Sequence, residues 1–342
     1  MRGWILRGAG RVAAQDTGAG HLDQLPMASH RWHGENPRMA FDAFALILTM
    51  LGIGMLFARL RVLPDNAGEV LNRIVLLVCL PAAVLTYVPR LHMDASLLGI
   101  AATPWLLAAA TVGLVTLASR CLHFRRDEHA VLLLCVALGN SSFIGYPMVH
   151  ALLGEHALPY AVVYDQFGIF VLLSTFGLYV LARYGGDAPP TLRTVLMRML
   201  RFPPLWALLL GLTVMPAEPP TWIAGGLQRL ADALLPLVML AVGLTIQLKL
   251  PRDEVKPLAV GLVLRLIVLP ALALPLSLAF GLQGAMLQAN VLESAMPSMI
   301  TAAALAISHQ LAPRLAAALV GYGILLSLVT LPAWAWVLQR WG

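Results

Sequence analysis

Long apolar runs recur along the whole of this chain, and each is long enough to cross a lipid bilayer. A helix that spans the hydrocarbon core needs about 20 residues. Windows of that length lie at ten places, here called spans 1 to 10: 40–58, 69–88, 97–118, 129–153, 160–182, 191–214, 222–247, 257–280, 284–308 and 313–338. Charged residues make up only 12% of the 342 residues. A soluble protein could not bury so much apolar surface, so the sequence predicts an all-α polytopic membrane protein with ten transmembrane helices.

Arginine and lysine are distributed unevenly among the loops between these spans. The loops after spans 1, 3, 5 and 7 are basic, whereas those after spans 2, 4, 6 and 8 contain Arg90 and no other arginine or lysine. Because basic loops stay in the cytoplasm, we predict that both termini are periplasmic and that the protein lies in the inner membrane of a bacterium. The net charge of +6 then reflects topology, and no nucleic-acid partner is expected.

Residues 1–38 differ from the rest of the chain in composition. Five arginines lie there among Gly, His, Asp and Gln, without a continuous apolar core. Such a segment lacks the features of a secretory signal. We predict a disordered or wrongly annotated N-terminal extension, and the functional chain then starts at Met39 or Met27.

The ten spans divide into two sets of five, residues 39–183 and 184–342. An odd number of crossings inverts the second set relative to the first. Asn140 stands seven residues before Pro147, as Asn290 does before Pro297. Further matches join "LNRIVLLVCLP" (71–81) to "LQRLADALLP" (227–236), and "FGIF" (167–170) to "YGIL" (322–325). The sequence therefore predicts a 5+5 inverted repeat.

Spans 4 and 9 contain residues that interrupt a helix near its middle, as in "GNSSFIGYP" (139–147). Each proline lacks an N–H and leaves a carbonyl unpaired four residues earlier, at Phe143 and Glu293. Unwound backbone is tolerated at membrane depth where protein or a cavity covers it, and paired broken helices are common in secondary transporters. Half-helix N-termini favour an anion. We predict a substrate site at the crossing of spans 4 and 9, formed by Asn140, Ser141, Ser142, Pro147, Asn290, Pro297 and Ser298.

Ionisable residues inside the spans are further candidates because placing them in the membrane is costly. Arg265 is expected to contact a substrate carboxylate; the alternatives are an internal ion pair or snorkelling to the surface. Glu293, Asp165 and Asp232 are candidates for a coupling H⁺ or Na⁺. The alternative for Glu293, and for the two asparagines, is hydrogen bonding between helices. Asp165 or Asp232 could instead pair with Arg265.

Three segments resemble the auxin efflux carrier family, which includes plant carriers and bacterial malate and malonate permeases. They are "LGNSSFIGYPMVHALLG" in span 4, "ESAMPSMITAAALA" in span 9 and "LVGYGILLSLVTLP" in span 10. The resemblance covers residues 39–340 and implies the fold of the bile-acid symporter and sodium–proton antiporters. Spans 1, 2, 6 and 7 would form a scaffold, and spans 3–5 and 8–10 a mobile transport domain. The broken helices would cross at Pro147 and Pro297.

The expected function is secondary-active transport of a small organic anion, such as malate, malonate or an auxin-like acid, by an elevator mechanism. No cofactor is expected beyond a coupling H⁺ or Na⁺. The expected partners are the substrate, membrane lipid and a second copy bound through the scaffold helices. A sodium-coupled symporter of the bile-acid type and a passive channel are the alternatives. An enzyme is not expected, because motifs such as G-x-S-x-G and H-E-x-x-H do not occur.

Overall fold

The computed structural model describes residues 37–64, 66–91, 94–186, 191–246 and 253–340. The expectation for residues 1–38 lies outside these ranges, apart from the first two residues of α1. The described residues form helices that we number in chain order: α1 Pro37–Leu60, α2 Ala67–Arg90, α3 Ser96–Leu122, α4 Arg126–Ala137, α5 141–153, α6 Glu155–Gly185, α7 Leu192–Leu200, α8 Pro203–Thr213, α9 Thr221–Thr245, α10 Val255–Ala279, α11 Gly284–Ser294, α12 Ile300–Ser308 and α13 Pro313–Leu338.

Six of these helices are long and apolar enough to cross a membrane: α2, α3, α6, α9, α10 and α13. The apolar stretches Ala45–Leu60 and Pro203–Thr213 are shorter. The prediction of an all-helical membrane protein is confirmed. Predicted spans 4, 6 and 9 each correspond to two helices rather than one. In span 6 the division falls at Pro203, which occupies the first turn of α8, where a missing N–H costs least.

Helices α1, α2, α8 and α9 pack against one another. The closest approach joins α1 to α9 at two glycines, because a Cβ atom at Gly54 would lie only 2.8 Å from the Cα of Gly243. Small residues let helix backbones approach closely in membranes, where dispersion contacts replace the hydrophobic effect. This set of four helices comprises predicted spans 1, 2, 7 and the apolar half of span 6.

A second apolar core is built from α3, α4, α6, α10, α12 and α13, with fully buried residues such as Leu132, Leu134 and Leu319. Helix α5 contributes Phe143 and Met148 instead to the core that α1, α2 and α9 share. Helix α11 contributes to both cores, with Val291 in one and Leu292 in the other. The two helices of predicted span 4 therefore pack in different cores, and α11 lies between the cores.

Ion pairs join the N-terminal ends of α4, α10 and α13. Arg125 contacts Glu254 at 2.8 Å, and Arg314 contacts Asp253 at 2.5 Å. The Glu254 side chain is only 2% exposed, so its charge depends on this pairing. All three helix ends belong to loops that the charge distribution assigns to the cytoplasm.

The contact between Gly54 and Gly243 leads to a prediction about stability. Gly54→Ala should lower the free energy of unfolding by about 1–3 kcal/mol, because the added methyl group meets backbone atoms that cannot rotate away. Gly52→Ala is the matched control, since a Cβ atom there has no neighbour within 4 Å. Thermal unfolding of the purified variants checks both. A Gly54→Ala protein as stable as Gly52→Ala would contradict the close packing.

Candidate functional site

Two short non-helical segments, residues 138–140 after α4 and 295–299 after α11, meet and cross. The Asn140 N–H donates to the Pro297 carbonyl at 2.8 Å, and the Met299 N–H donates to the Leu138 carbonyl at 2.9 Å. Gly139 and Ser298 thus form one antiparallel β-bridge. Peptide groups without a helical partner are costly in the membrane interior. Here each segment satisfies groups of the other.

The crossing differs in two respects from the one expected at the two prolines. Pro297 lies in it, but Pro147 lies in the first turn of the α-helix Tyr146–Leu153. Asn140 lies in the crossing, whereas Asn290 lies inside α11. The shared asparagine–proline spacing therefore does not mark equivalent positions. The expectation that the Glu293 carbonyl is unpaired is also wrong. This carbonyl accepts a hydrogen bond from the Met296 N–H at 3.2 Å.

Asp165 accepts hydrogen bonds from four side chains beside the crossing. The donors are Ser141 Oγ at 2.5 Å, Ser142 Oγ at 2.6 Å, Gln166 Nε2 at 2.8 Å and Tyr146 OH at 3.1 Å. The carboxylate is 1% exposed and lies in a π-helical turn of α6, a wider turn that is frequent at functional sites. Four donors stabilise its negative charge in place of water.

A cavity of about 820 Å³ extends from the crossing to α7. Its inner end is lined by Asn140, Ser142, Asp165 and Thr301, and its outer end by Thr191, Arg193, Thr194 and Arg201. Aromatic and aliphatic side chains, among them Phe143, Leu173 and Met197, also line the cavity. The Phe170 and Phe202 rings, which stack with their centroids 3.8 Å apart, belong to this apolar lining. The cavity therefore has polar groups at its inner and outer ends and largely apolar walls.

The Asn140 side chain is the polar group of the crossing with the most unused hydrogen-bonding capacity. It is 1% exposed, and neither its amide nitrogen nor its amide oxygen has a partner among the described residues. Buried amides are normally paired. A group that enters the cavity from outside can supply the missing partners.

Arg265 is buried behind the crossing rather than in the cavity wall. Its Nε donates to the Met296 carbonyl at 2.6 Å and its Nη1 to the Val136 carbonyl at 3.1 Å. The guanidinium packs against Gly139, where a Cβ atom would lie 2.7 Å from its Cζ. Arg265 is 2% exposed and takes no part in the ion pairs found among the described residues.

Glu293 is fully buried at the end of α11, and neither carboxylate oxygen has a hydrogen-bond partner among the described residues. The carboxylate packs against Gly145, at whose position a Cβ atom would lie 2.6 Å from Oε1. Its charged neighbours are Asp165 and Arg265. An unpaired buried carboxylate is costly when ionised, which sets it apart from Asp165.

Two of the predicted site residues lie elsewhere. Asn290 donates from Nδ2 to Thr103 Oγ1 at 2.9 Å and to Ser277 Oγ at 2.8 Å, which links α11 to α3 and α10. Asp232 is exposed on α9 and accepts a hydrogen bond from Gln228 at 2.9 Å. These contacts favour the alternative of hydrogen bonding within and between helices. Ser298 remains in the crossing, with a buried Oγ that has no partner in the described structure.

No group of three or more His, Cys, Asp or Glu side chains within the described ranges could hold a metal ion. A monovalent cation does not need such a group, because it can bind to hydroxyl, amide and single carboxylate oxygens. The buried oxygen atoms near the crossing that lack a donor among the described residues include Asn140 Oδ1, Gln166 Oε1, Ser298 Oγ and the two Glu293 oxygens.

Residues 39–335 match the sequence profile of the family described as membrane transport protein. The chain belongs to this family. An uncharacterized transporter of Methanothermobacter thermautotrophicus is 30% identical over 295 residues, which cover 85% of this chain and 96% of the relative. An uncharacterized transporter of Methanocaldococcus jannaschii is 27% identical over 308 residues, 87% of this chain and 98% of the relative. The resemblance to auxin efflux carriers is thereby confirmed.

Because the chain belongs to the membrane transport protein family, its general class is that of a transporter. The family and both relatives are transporters, which agrees with the expectation of a protein that is not an enzyme. The geometry of the crossing bears on the substrate, the coupling ion and the transport mechanism.

Sequence reasoning missed four residues around the site. Arg193 and Arg201 entered the sequence analysis only as part of the basic loop after span 5. However, "LRTVLMRML" (192–200) is an amphipathic segment, and two prolines follow it after Arg201 and Phe202. That signal was sufficient to suggest a basic side chain facing a cavity. Tyr146 and Gln166 carried no comparable signal, because their role depends on how α5 packs against α6.

The contrast between Asn140 and Asn290 predicts different effects on stability. Asn290→Ala removes two hydrogen bonds between helices and should lower the free energy of unfolding by about 1 kcal/mol. Asn140→Ala removes polar atoms that have no partner and should leave stability unchanged or raise it slightly. Thermal unfolding in the absence of added organic acids compares the two. Equal losses of stability would contradict the hydrogen bonding described here.

Proposed function

We propose that this member of the membrane transport protein family is a secondary-active transporter of small organic anions, carboxylates such as malate, malonate or auxin-like acids. The anion is held beside Asn140 at the inner end of the cavity. The observation that carries this proposal is the unpaired, buried amide of Asn140 in the wall of an 820 Å³ cavity. A carboxylate oxygen that accepts from Nδ2 supplies one of the missing partners.

Helix ends strengthen the preference for an anion. Helices α5 and α12 begin at Ser141 and Ile300, and Ser142 and Thr301 in their first turns line the cavity. The N-terminus of a helix carries about half a positive charge. The Asp165 carboxylate already faces the start of α5, through Ser141 and Ser142. The start of α12 therefore remains for the substrate.

Arg193 and Arg201 give the outer end of the cavity a positive potential. Such a potential raises the local concentration of anions and their rate of entry. The apolar walls of the cavity suit a carboxylate with an apolar body better than a small, fully hydrated dicarboxylate. We therefore rank auxin-like acids above malate and malonate as substrates.

An elevator mechanism fits this packing. In our proposal the ten spans form a 5+5 inverted repeat, in which α4 with α5 and α11 with α12 are broken spans 4 and 9. Helices α1, α2, α8 and α9 form the scaffold, which also holds a second copy in a homodimer. The remaining helices carry the site across the membrane. The antiparallel pairing at Gly139 and Ser298 is what two inverted halves produce where they meet.

The proposed orientation has both termini periplasmic in the cytoplasmic membrane of a bacterium. Arg193 and Arg201 then lie on the cytoplasmic side, and the cavity is open inward. Counterflow of a labelled acid in vesicles distinguishes this carrier from the passive channel, since a pore does not exchange substrate across a shared site.

The binding proposal predicts that Asn140→Ala lowers affinity for the organic acid about tenfold or more, because a hydrogen bond to a charged group is lost. A thermal-shift screen of monocarboxylates, dicarboxylates and indole acids first identifies the acid, and titration then gives the affinity. Asn290→Ala is the matched control and should bind the acid normally. Unchanged affinity in Asn140→Ala would remove the crossing as the site.

The same titration tests the outer arginines. Arg193→Gln and Arg201→Gln should each weaken binding or slow uptake, most at low salt, where the field is least screened. Arg59→Gln is the control, because Arg59 lies exposed at the end of α1 on the same predicted side. An equal effect of all three substitutions would mean that Arg193 and Arg201 act only through the overall charge of the protein.

Glu293 is proposed to carry the coupling proton. An unpaired carboxylate in so buried a place is far less costly when protonated, and Asp165, with its four donors, is better suited to stay ionised. Glu293→Gln should therefore make transport independent of pH while preserving binding of the acid. Uptake rates between pH 5 and 8 check this. A pH profile like that of the unmodified protein would assign coupling elsewhere.

A further inference from the structure

Arg265 contacts the ends of two helices that approach the crossing from opposite directions in the chain. Val136 is the penultimate residue of α4, and Met296 follows the last residue of α11 by two positions. Both of their carbonyls accept from this one guanidinium, at 3.1 Å and 2.6 Å. The last carbonyls of a helix have no partner within the helix. Arg265 therefore supplies donors to both helix ends.

The charges at these ends are complementary. The C-terminus of a helix carries about half a negative charge, so two such ends together present about one. The guanidinium carries one positive charge, is 2% exposed and lies in a π-helical turn of α10. Without a cation, two negative ends would face each other across a few ångströms of low dielectric, where their repulsion is strong.

We propose that Arg265 is a permanent internal cation that occupies the place at the crossing which a coupling metal cation would otherwise fill, and that this transporter works without sodium. Arg265 acts as a positioning residue, because it holds α4 and α11 together and leaves the N-terminal end of α12 free for the substrate. The part of this inference that concerns transport rests on the proposed function.

The position of the guanidinium agrees with this assignment. Arg265 Nη2 has no partner in the described structure and faces Gly139, next to Asn140. A sodium ion at the same helix ends would lie against the guanidinium and be repelled by it. The sodium-coupled alternative is therefore disfavoured for this chain.

The sodium test uses the unmodified protein and needs no organic acid. Thermal unfolding of the purified full chain is compared in sodium chloride and in N-methyl-D-glucamine chloride at equal ionic strength. The two unfolding midpoints should be the same. A midpoint that rises with sodium concentration at constant ionic strength would overturn the proposal. Because no substrate is present, this result is independent of whether the cavity binds organic acids.

The charge of Arg265 is tested by two substitutions of similar length. Arg265→Gln should lower the unfolding midpoint on the order of 5 °C, whereas Arg265→Lys, which keeps a cation, should recover part of that loss. Arg59→Gln is the control for loss of an exposed charge and should leave the midpoint unchanged. A lysine variant no more stable than the glutamine variant would show that charge is not what the site requires.

A third variant moves the guanidinium without removing it. Gly139→Ala places a methyl group where the guanidinium now lies and should lower the unfolding midpoint, with Gly177→Ala as the control because its neighbours lie 3.4 Å or more away. Equal midpoints for the two alanine variants would overturn the placement of Arg265.

Uptake of the acid identified by the screen should persist in sodium-free medium. Uptake that requires sodium would overturn only the part of the proposal that concerns transport.

Discussion

The requirement that peptide groups be paired inside a membrane governs this structure. Helical hydrogen bonding stops after α4 and after α11, and the freed groups of residues 138–140 and 297–299 bond to each other. That pairing needs no water and no side chain, so it leaves the Asn140 amide and the Ser298 hydroxyl without partners. The two non-helical segments are stable because their backbone groups pair with each other. Polar side chains at the crossing are therefore left free to bind other groups.

Charge is distributed around the crossing according to helix direction. Arg265 contacts the negative ends of α4 and α11, whereas Asp165 faces the positive start of α5 through Ser141 and Ser142. Each charge thus lies at the helix end of opposite sign. Glu293 has no such arrangement, and its unpaired oxygens are the exception in an otherwise complementary site. Protonation of Glu293 therefore changes the energy of the site more than protonation of Asp165 would.

The sequence was sufficient to predict what hydropathy and charge control, and insufficient where packing decides. Apolar runs predicted an all-helical membrane protein, and the motifs around Asn140 and Ser298 predicted the family that the comparisons confirm. The location of the crossing was wrong at Pro147, because a proline also fits the first turn of a helix and does not by itself mark a break. Asn290 and Asp232 could not be assigned from sequence, since only three-dimensional structure reveals that Asn290 bonds to neighbouring helices and that Asp232 lies exposed on α9.

The distribution of buried hydrogen bonds bears on how the proposed transport domain would move. Asp165 joins α6 to α5, Arg265 joins α10 to α4 and the segment after α11, and Asn290 joins α11 to α3 and α10. Each of these bonds lies within the helices assigned to the mobile set. Across the boundary to the scaffold the packing is apolar, and the ion pair between Arg90 and Glu155 is half exposed at 3.3 Å. Apolar side chains can slide past one another without leaving a buried polar group unpaired, and an exposed ion pair is worth about 1 kcal/mol or less. In the proposed elevator mechanism the polar network would therefore move as one body, which is the condition that lets a site cross the membrane intact.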